Sequence, residues 1–208
     1  MRTMARALEA RGYETLNLGY PSRRASIERL AEEISARINA WNAGARLDFV
    51  THSLGGIVLR AAVARGLLPL ARIDRVVMLG PPNGGSELVD AFAAIPVLSA
   101  VYRRLTGPAG AQLGVGPAGI ASRLPPVEFI VGVIAGNRSF NPLFSALLGA
   151  PNDGKVRVDR TQVRGMTDFL VVPHWHPLLM TAPIVIEQTL HFLETGVFQH
   201  TRPGAILS

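Results

Sequence analysis

A chain of 208 residues with 48% apolar and 17% charged side chains can build a substantial core and is not a disordered segment. It has no cysteine, which excludes disulfides, thiol catalysis and cysteine metal sites, and it has no apolar run long enough to cross a bilayer. The net charge of +6 is carried almost wholly by arginine, with Lys155 the only lysine; the arginines are scattered and not interleaved with aromatics, which reads as a solvated surface and not as a nucleic-acid or anionic-lipid footprint.

In chain order, Met4 to Ala10 reads as a helix closed by Gly12. Residues 13–20 alternate and stop at Pro21, which predicts a strand. Ser26 caps a helix whose apolar positions Ile27, Leu30, Ala31, Ile34, Ile38 and Trp41 share one face, and Gly44 ends it. Residues 47–52 form a short apolar run, followed by an abrupt turn at Ser53 and a helix to about Gly66. Arg75 to Gly80 is the next buried strand. This alternation predicts an α/β fold, a three-layer sandwich around a mostly parallel sheet, in one domain over residues 1–208.

Beyond Gly80 the pattern loosens. Residues 81–86 are a turn-rich loop, and an apolar segment with Phe92, Ile95, Val97, Leu98, Val101, Tyr102 and Leu105 follows. It reads as a core-facing helix or as part of a partial cap around 86–125 over an acyl pocket. Gly114, Gly116 and Gly119 match Gly-x-Gly-x-x-Gly formally, but no strand precedes them and no acidic residue stands where a ribose would need one, so the stretch is a loop. Residues 129–136 are a buried strand, Asn141 and Pro142 open a short helix through Leu148, and 151–154 are a turn. Residues 168–172 are the last strand, and Thr181, Pro183 and Gly196 bracket the final helix.

The chemistry centres on the turn at Thr51-His52-Ser53-Leu54-Gly55-Gly56. A serine on a sharp strand-to-helix turn projects its hydroxyl above the sheet edge, where the first N–H groups of the helix also point. Thr51 replaces the first glycine of the usual Gly-x-Ser-x-Gly, and the competing reading makes Ser53 a plain helix cap. A serine nucleophile needs a base, and the base needs an orienting acid. With acid before histidine in chain order, Asp153 fills the first slot, although Asp-Gly is also an ordinary turn. His174 and His176 follow the last strand, and His176, which leads directly into the final helix, is preferred as the base. His174 is then supporting or structural. A metal pair formed by the two, with Asp168 as a third ligand, is the weaker alternative. Alternation along the strand sends the His52 side chain away from the hydroxyl, leaving it a supporting role at most. His191 and His200 look peripheral.

Residues 51–56, 76–86 (Val-Val-Met-Leu-Gly-Pro-Pro-Asn-Gly-Gly-Ser), 151–156 (Pro-Asn-Asp-Gly-Lys-Val) and 174–180 (His-Trp-His-Pro-Leu-Leu-Met) together resemble, in order, small bacterial lipase- and esterase-like members of the α/β-hydrolase superfamily. The resemblance implies Ser53 as nucleophile, Asp153 as acid, His176 as base and the Leu54 N–H as an oxyanion donor. It further implies hydrolysis of a small ester or lipid substrate without a cofactor, with no nucleic-acid partner and with transient contact to a lipid surface left open. The alternatives are an acyltransferase using the same three residues and a non-catalytic binding domain. As given, the chain reads as cytoplasmic; a signal segment upstream would make it periplasmic or secreted.

The family pattern also implies an apolar strand ahead of the first helix, lying between the strands at 13–20 and 47–52 and ending in a loop that supplies a second oxyanion N–H. No such strand precedes the helix at Met4, so the chain reads as N-terminally truncated. A start codon assigned too late, direct pairing of 13–20 with 47–52, or another chain in the gap would each account for this. For the chain as given, the expectation is that the 13–20 and 47–52 strands are direct neighbours, because unpaired buried strand edges are costly.

Overall fold

The structure, a computed structural model, describes residues 1–94, 104, 106–117, 119–139, 145, 148, 149 and 151–200. Four strands, β1 (Leu47–His52), β2 (Ile73–Leu79), β3 (Ile130–Gly136) and β4 (Asp168–Val172), form one sheet in the order β1-β2-β3-β4. Every neighbouring pair is parallel, with Val77 opposite Val50 on one side and Gly132 on the other. Residues two apart on one strand share a face. Val76 and Met78 therefore enter one core with Ile27, Leu30, Ile57 and Val58, while Val77 and Leu79 enter a second with Val185, Phe192 and Leu193. A parallel sheet buried on both faces gives continuous apolar strands, as β3 and the Val76–Leu79 half of β2 are.

The helices that cover these faces are α1 (Arg2–Glu9), α2 (Ile27–Trp41), α3 (Leu54–Ala64) and, after the short α4 (Glu87–Ala93) beyond β2, α5 (Pro183–Thr195). In α2 the Ser26 hydroxyl accepts the Arg29 N–H, and Ile27, Leu30, Ala31 and Ile38 are buried as the spacing requires. Gly196 closes α5 at φ 86°, the left-handed position that a helix C-terminus reserves for glycine. Among the described residues no helix is long and apolar enough to cross a membrane. Of the segment expected to form a core helix or cap, residues 95–103 and 105 lie outside the described residues, as does most of the helix expected at 141–148.

The strand expected at 13–20 does not form. The segment is extended and alternates in burial, with Leu18 and Tyr20 against one core and Tyr13 against the other, but it pairs with no strand. A cavity of about 570 Å³ separates it from β1, lined by both segments, so the two are not direct neighbours. Alternation is a local property, whereas a strand also needs a partner edge within hydrogen-bonding distance. The arginines read mainly as a solvated surface, and Arg60 departs from that reading. Arg60 is 5% exposed, donates to Asn83 Oδ1 (3.0 Å) and the Pro125 carbonyl (3.1 Å), and burial pushes its pKa down to about 10.

Candidate active site

β1 ends in a turn whose single residue, Ser53, sits at φ 53°, ψ −122°. Among the described residues it is the only non-glycine with positive φ. Such a conformation is strained for an L-residue and persists where its surroundings over-determine it. Here the Ser53 N–H donates to the Leu79 carbonyl at 2.8 Å, pinning the turn to the end of β2. The chain then enters α3 tightly: a Cβ on Gly56 would stand 3.1 Å from Pro81 Cβ and 3.2 Å from Met78 Sδ. The Ser53 side chain makes no capping bond to α3, which removes the helix-cap reading. In the first turn of α3 the Gly56 N–H donates to the Ser53 carbonyl at 3.1 Å.

His176 Nε2 lies 2.9 Å from Ser53 Oγ, and its Nδ1 lies 2.6 Å from Asp153 Oδ2. His176 and Asp153 are 1% and 2% exposed. The other carboxylate oxygen, Asp153 Oδ1, accepts the Lys155 and Val156 N–H groups at 3.0 and 2.9 Å, which keeps the loop after β3 in shape. The His176 N–H donates to the Asp153 carbonyl (3.0 Å), so backbone and side chain fix the same pair. A carboxylate on Nδ1 makes that nitrogen the protonated one and leaves Nε2 free to accept from the serine hydroxyl. Residues from the ends of β1, β3 and β4 therefore meet at one rim of the sheet, where open parallel sheets place their sites.

Several residues that hold this arrangement were not visible in the sequence. Gly80, at φ 54°, closes on the pair from beneath: a Cβ there would lie 3.1 Å from both Asp153 Oδ2 and His176 Nδ1. Buried Asn83 takes Arg60 on its oxygen and donates to the Thr161 carbonyl at 2.8 Å, joining the loop after β2 to the acid loop. Ser86 Oγ donates to the Lys155 carbonyl across the same junction (3.1 Å). A buried arginine served by neutral acceptors leaves only a Gly-Pro-Pro-Asn run to read in sequence, which looks like any surface turn.

Of the supporting candidates, His174 contributes backbone: its carbonyl accepts the Arg138 N–H at 3.2 Å. Asp168 holds His200 (2.8 Å) and the Phe198 N–H, so it stands with the chain's C-terminal segment and not with the histidine loop. Among the described residues no group of three potential ligands could hold a metal. His52 is closer to the site than alternation implied. Its Nε2–H donates to the His176 carbonyl (3.0 Å), and the two rings are tilted with centroids 4.9 Å apart. Burial, then the neighbouring His176, pushes the His52 imidazole from 6.5 down to about 4. Its folded pKa is thus below its unfolded one, so its contribution to stability is complete above pH 6.5 and is lost as pH falls toward 4. That window carries about 3 kcal/mol. In urea unfolding at pH 7 and pH 4.5, the wild type is expected to lose about 2–3 kcal/mol more than His52→Gln; equal losses would show that His52 is not the group involved.

A parallel sheet covered on both faces, with a strand–serine–helix turn at its carboxyl rim, is an α/β-hydrolase-like fold. The mature form of the Bacillus licheniformis lipase BlEst2 is similar, with TM-score 0.71 at 18% identity, covering 91% of this chain and 83% of that one. The propeptide form gives 0.72 at 18%, covering 98% and 48%. Phospholipase PlaB from Legionella pneumophila gives 0.65 at 17%, covering 93% and 56%. The chain thus spans about half the length of those last two. No curated protein matches it. The chain belongs to the family described as a domain of unknown function (DUF7379), whose model matches residues 18–137.

Proposed function

We propose that this chain is a serine hydrolase of carboxylic esters, including lipid esters, with Ser53 as nucleophile, His176 as base and Asp153 as orienting acid. The observation that carries the reading is the unbroken bonded sequence Ser53 Oγ, His176 imidazole, Asp153 carboxylate, on a serine whose backbone is strained. Ser53 Oγ attacks the ester carbonyl carbon while its proton passes to His176 Nε2. The carbonyl π pair moves to oxygen, and the Leu54 N–H meets that oxyanion. As the carbonyl re-forms, the ester C–O bond breaks and the alkoxide leaves with the proton from Nε2. Water then repeats the sequence on the acyl-serine, and the acid departs with Ser53 restored. The electron pairs balance without a cofactor. The lipase and phospholipase neighbours support lipid esters as the substrate class.

The test is hydrolysis of a graded series of chromogenic esters by the wild type and by Ser53→Ala. The expected result is turnover by the wild type and a loss of at least about 10⁴-fold in the variant. Equal rates for the two would remove Ser53 as the nucleophile.

A further inference from the structure

His176 opens a single helical turn, His176–Leu178, in the loop after β4. Among the described residues it makes four hydrogen bonds, and they fall into two pairs. One pair runs to the acid loop: the His176 N–H donates to the Asp153 carbonyl, and Nδ1 meets Asp153 Oδ2. The other runs to the end of β1 and the turn beyond it. Nε2 meets Ser53 Oγ at 2.9 Å, and the His176 carbonyl accepts the His52 Nε2–H at 3.0 Å. The nucleophile and the residue before it thus hold the base together, one through the imidazole and one through the backbone. The His52 ring also lies against the His176 ring, with centroids 4.9 Å apart.

These two links behave differently during turnover. The Ser53 link exists only while the serine carries its hydroxyl proton. Once Ser53 is acylated, Oγ is an ester oxygen with no proton to donate, and that bond is gone. The His52 link involves no reacting atom and survives. Among the described residues it is then the one hydrogen bond left between His176 and the end of β1. We infer that His52 is a positioning residue for deacylation: by holding the His176 backbone, it keeps Nε2 aimed at the acyl-serine when Ser53 no longer does so. This role rests on the serine-hydrolase reading above. In deacylation Nε2 takes a proton from the water that attacks the acyl carbon, and returns it to Ser53 Oγ as that oxygen leaves. A water molecule is too small to orient the imidazole, so the protein must do it. In acylation the Ser53 hydroxyl is already bonded to Nε2, and loss of the His52 bond falls lightly there. Burial and the neighbouring His176 also keep His52 neutral at working pH, with a pKa of about 4. It therefore holds the carbonyl without placing a second positive charge beside the imidazolium that forms at His176.

The test compares two substitutions. His52→Phe keeps a ring against His176 and removes the donor. His52→Gln keeps a donor, because its amide nitrogen reaches about as far as histidine Nε2. Stopped-flow hydrolysis of a p-nitrophenyl ester that the wild type turns over separates the two half-reactions. In His52→Phe the deacylation rate constant is expected to fall about tenfold, the worth of one hydrogen bond. Acylation should stay within about threefold of the wild type. Acyl-enzyme then accumulates, giving a burst of about one p-nitrophenolate per chain, and kcat and KM fall together with kcat/KM nearly unchanged. General loosening of the site would lower kcat/KM instead and give no burst. His52→Gln is expected to recover deacylation to within about threefold of the wild type. His52→Leu, smaller and also without a donor, gives the same comparison should melting curves show that phenylalanine is not accommodated. Acylation and deacylation falling by one factor, deacylation unchanged, or His52→Gln no better than His52→Phe would each overturn the role of His52 while leaving Ser53 as nucleophile. A wild type whose intact mass shows no acyl adduct dependent on Ser53 would overturn the reading beneath it as well.

Discussion

Alanine at His176 is expected to lower kcat for ester hydrolysis by about 10⁶-fold, as much as alanine at Ser53, and the double variant is expected to lose no more than either alone. The reason lies in the bonding. His176 is the group joined to both neighbours, at 2.9 Å to Ser53 Oγ and 2.6 Å to Asp153 Oδ2. Without the imidazole, the hydroxyl has no acceptor for its proton; without the hydroxyl, the imidazole has no proton to accept. Each alanine removes the same step, so the losses cannot multiply. What survives in all three variants is whatever the N–H groups at the start of α3 and substrate binding supply. The measurement is kcat for the two single variants and the double variant on one ester. Losses that multiply, or a His176→Ala enzyme that matches the wild type, would break the unit apart. Because His176 is buried, its removal also leaves a cavity and an unpaired Asp153 oxygen. Melting curves separate that effect, since Ser53→Ala removes a single oxygen.

That Ser53, Asp153 and His176 come together was legible in the sequence because the proposed chemistry constrains residue type and the fold constrains chain order. A strand, a turn serine, a later acid and a last histidine are each short-range signals. β3 and the second half of β2 were legible for a similar reason, since a strand buried on both faces is a continuous apolar run. The 13–20 segment shows the limit. Its pattern is as good a strand pattern as residues 47–52 offer, but pairing depends on what lies at the other side of the gap, which no local pattern records. Arg60 shows a second limit. Its burial rests on Asn83 and the Pro125 carbonyl, distant in sequence and chemically neutral, so nothing near Arg60 announces it. His52 shows a third: alternation sends its ring elsewhere, yet the loop after β4 brings the His176 carbonyl and ring to meet it.

Asp153→Asn is expected to lower kcat by about 10⁴-fold with the fold intact. The amide is nearly isosteric, and its oxygen can still accept the Lys155 and Val156 N–H groups that Asp153 Oδ1 accepts now. Its nitrogen then takes the place of Oδ2 and faces His176 Nδ1 as a donor. That nitrogen of the imidazole must become the acceptor, so the ring proton moves to Nε2. Nε2 then presents a proton to Ser53 Oγ where a lone pair is required, and the nucleophile cannot be deprotonated. The loss should fall on kcat, with KM nearly unchanged, because the substitution leaves the substrate's surroundings alone. Asp153→Ala provides the contrast. It abolishes the two turn bonds as well, and is expected to lower stability by about 2–3 kcal/mol in addition to the loss of rate. Steady-state kinetics with urea unfolding of both variants checks the pair of outcomes. An Asp153→Asn enzyme within tenfold of wild-type kcat would mean that the imidazole takes its orientation from something other than this carboxylate.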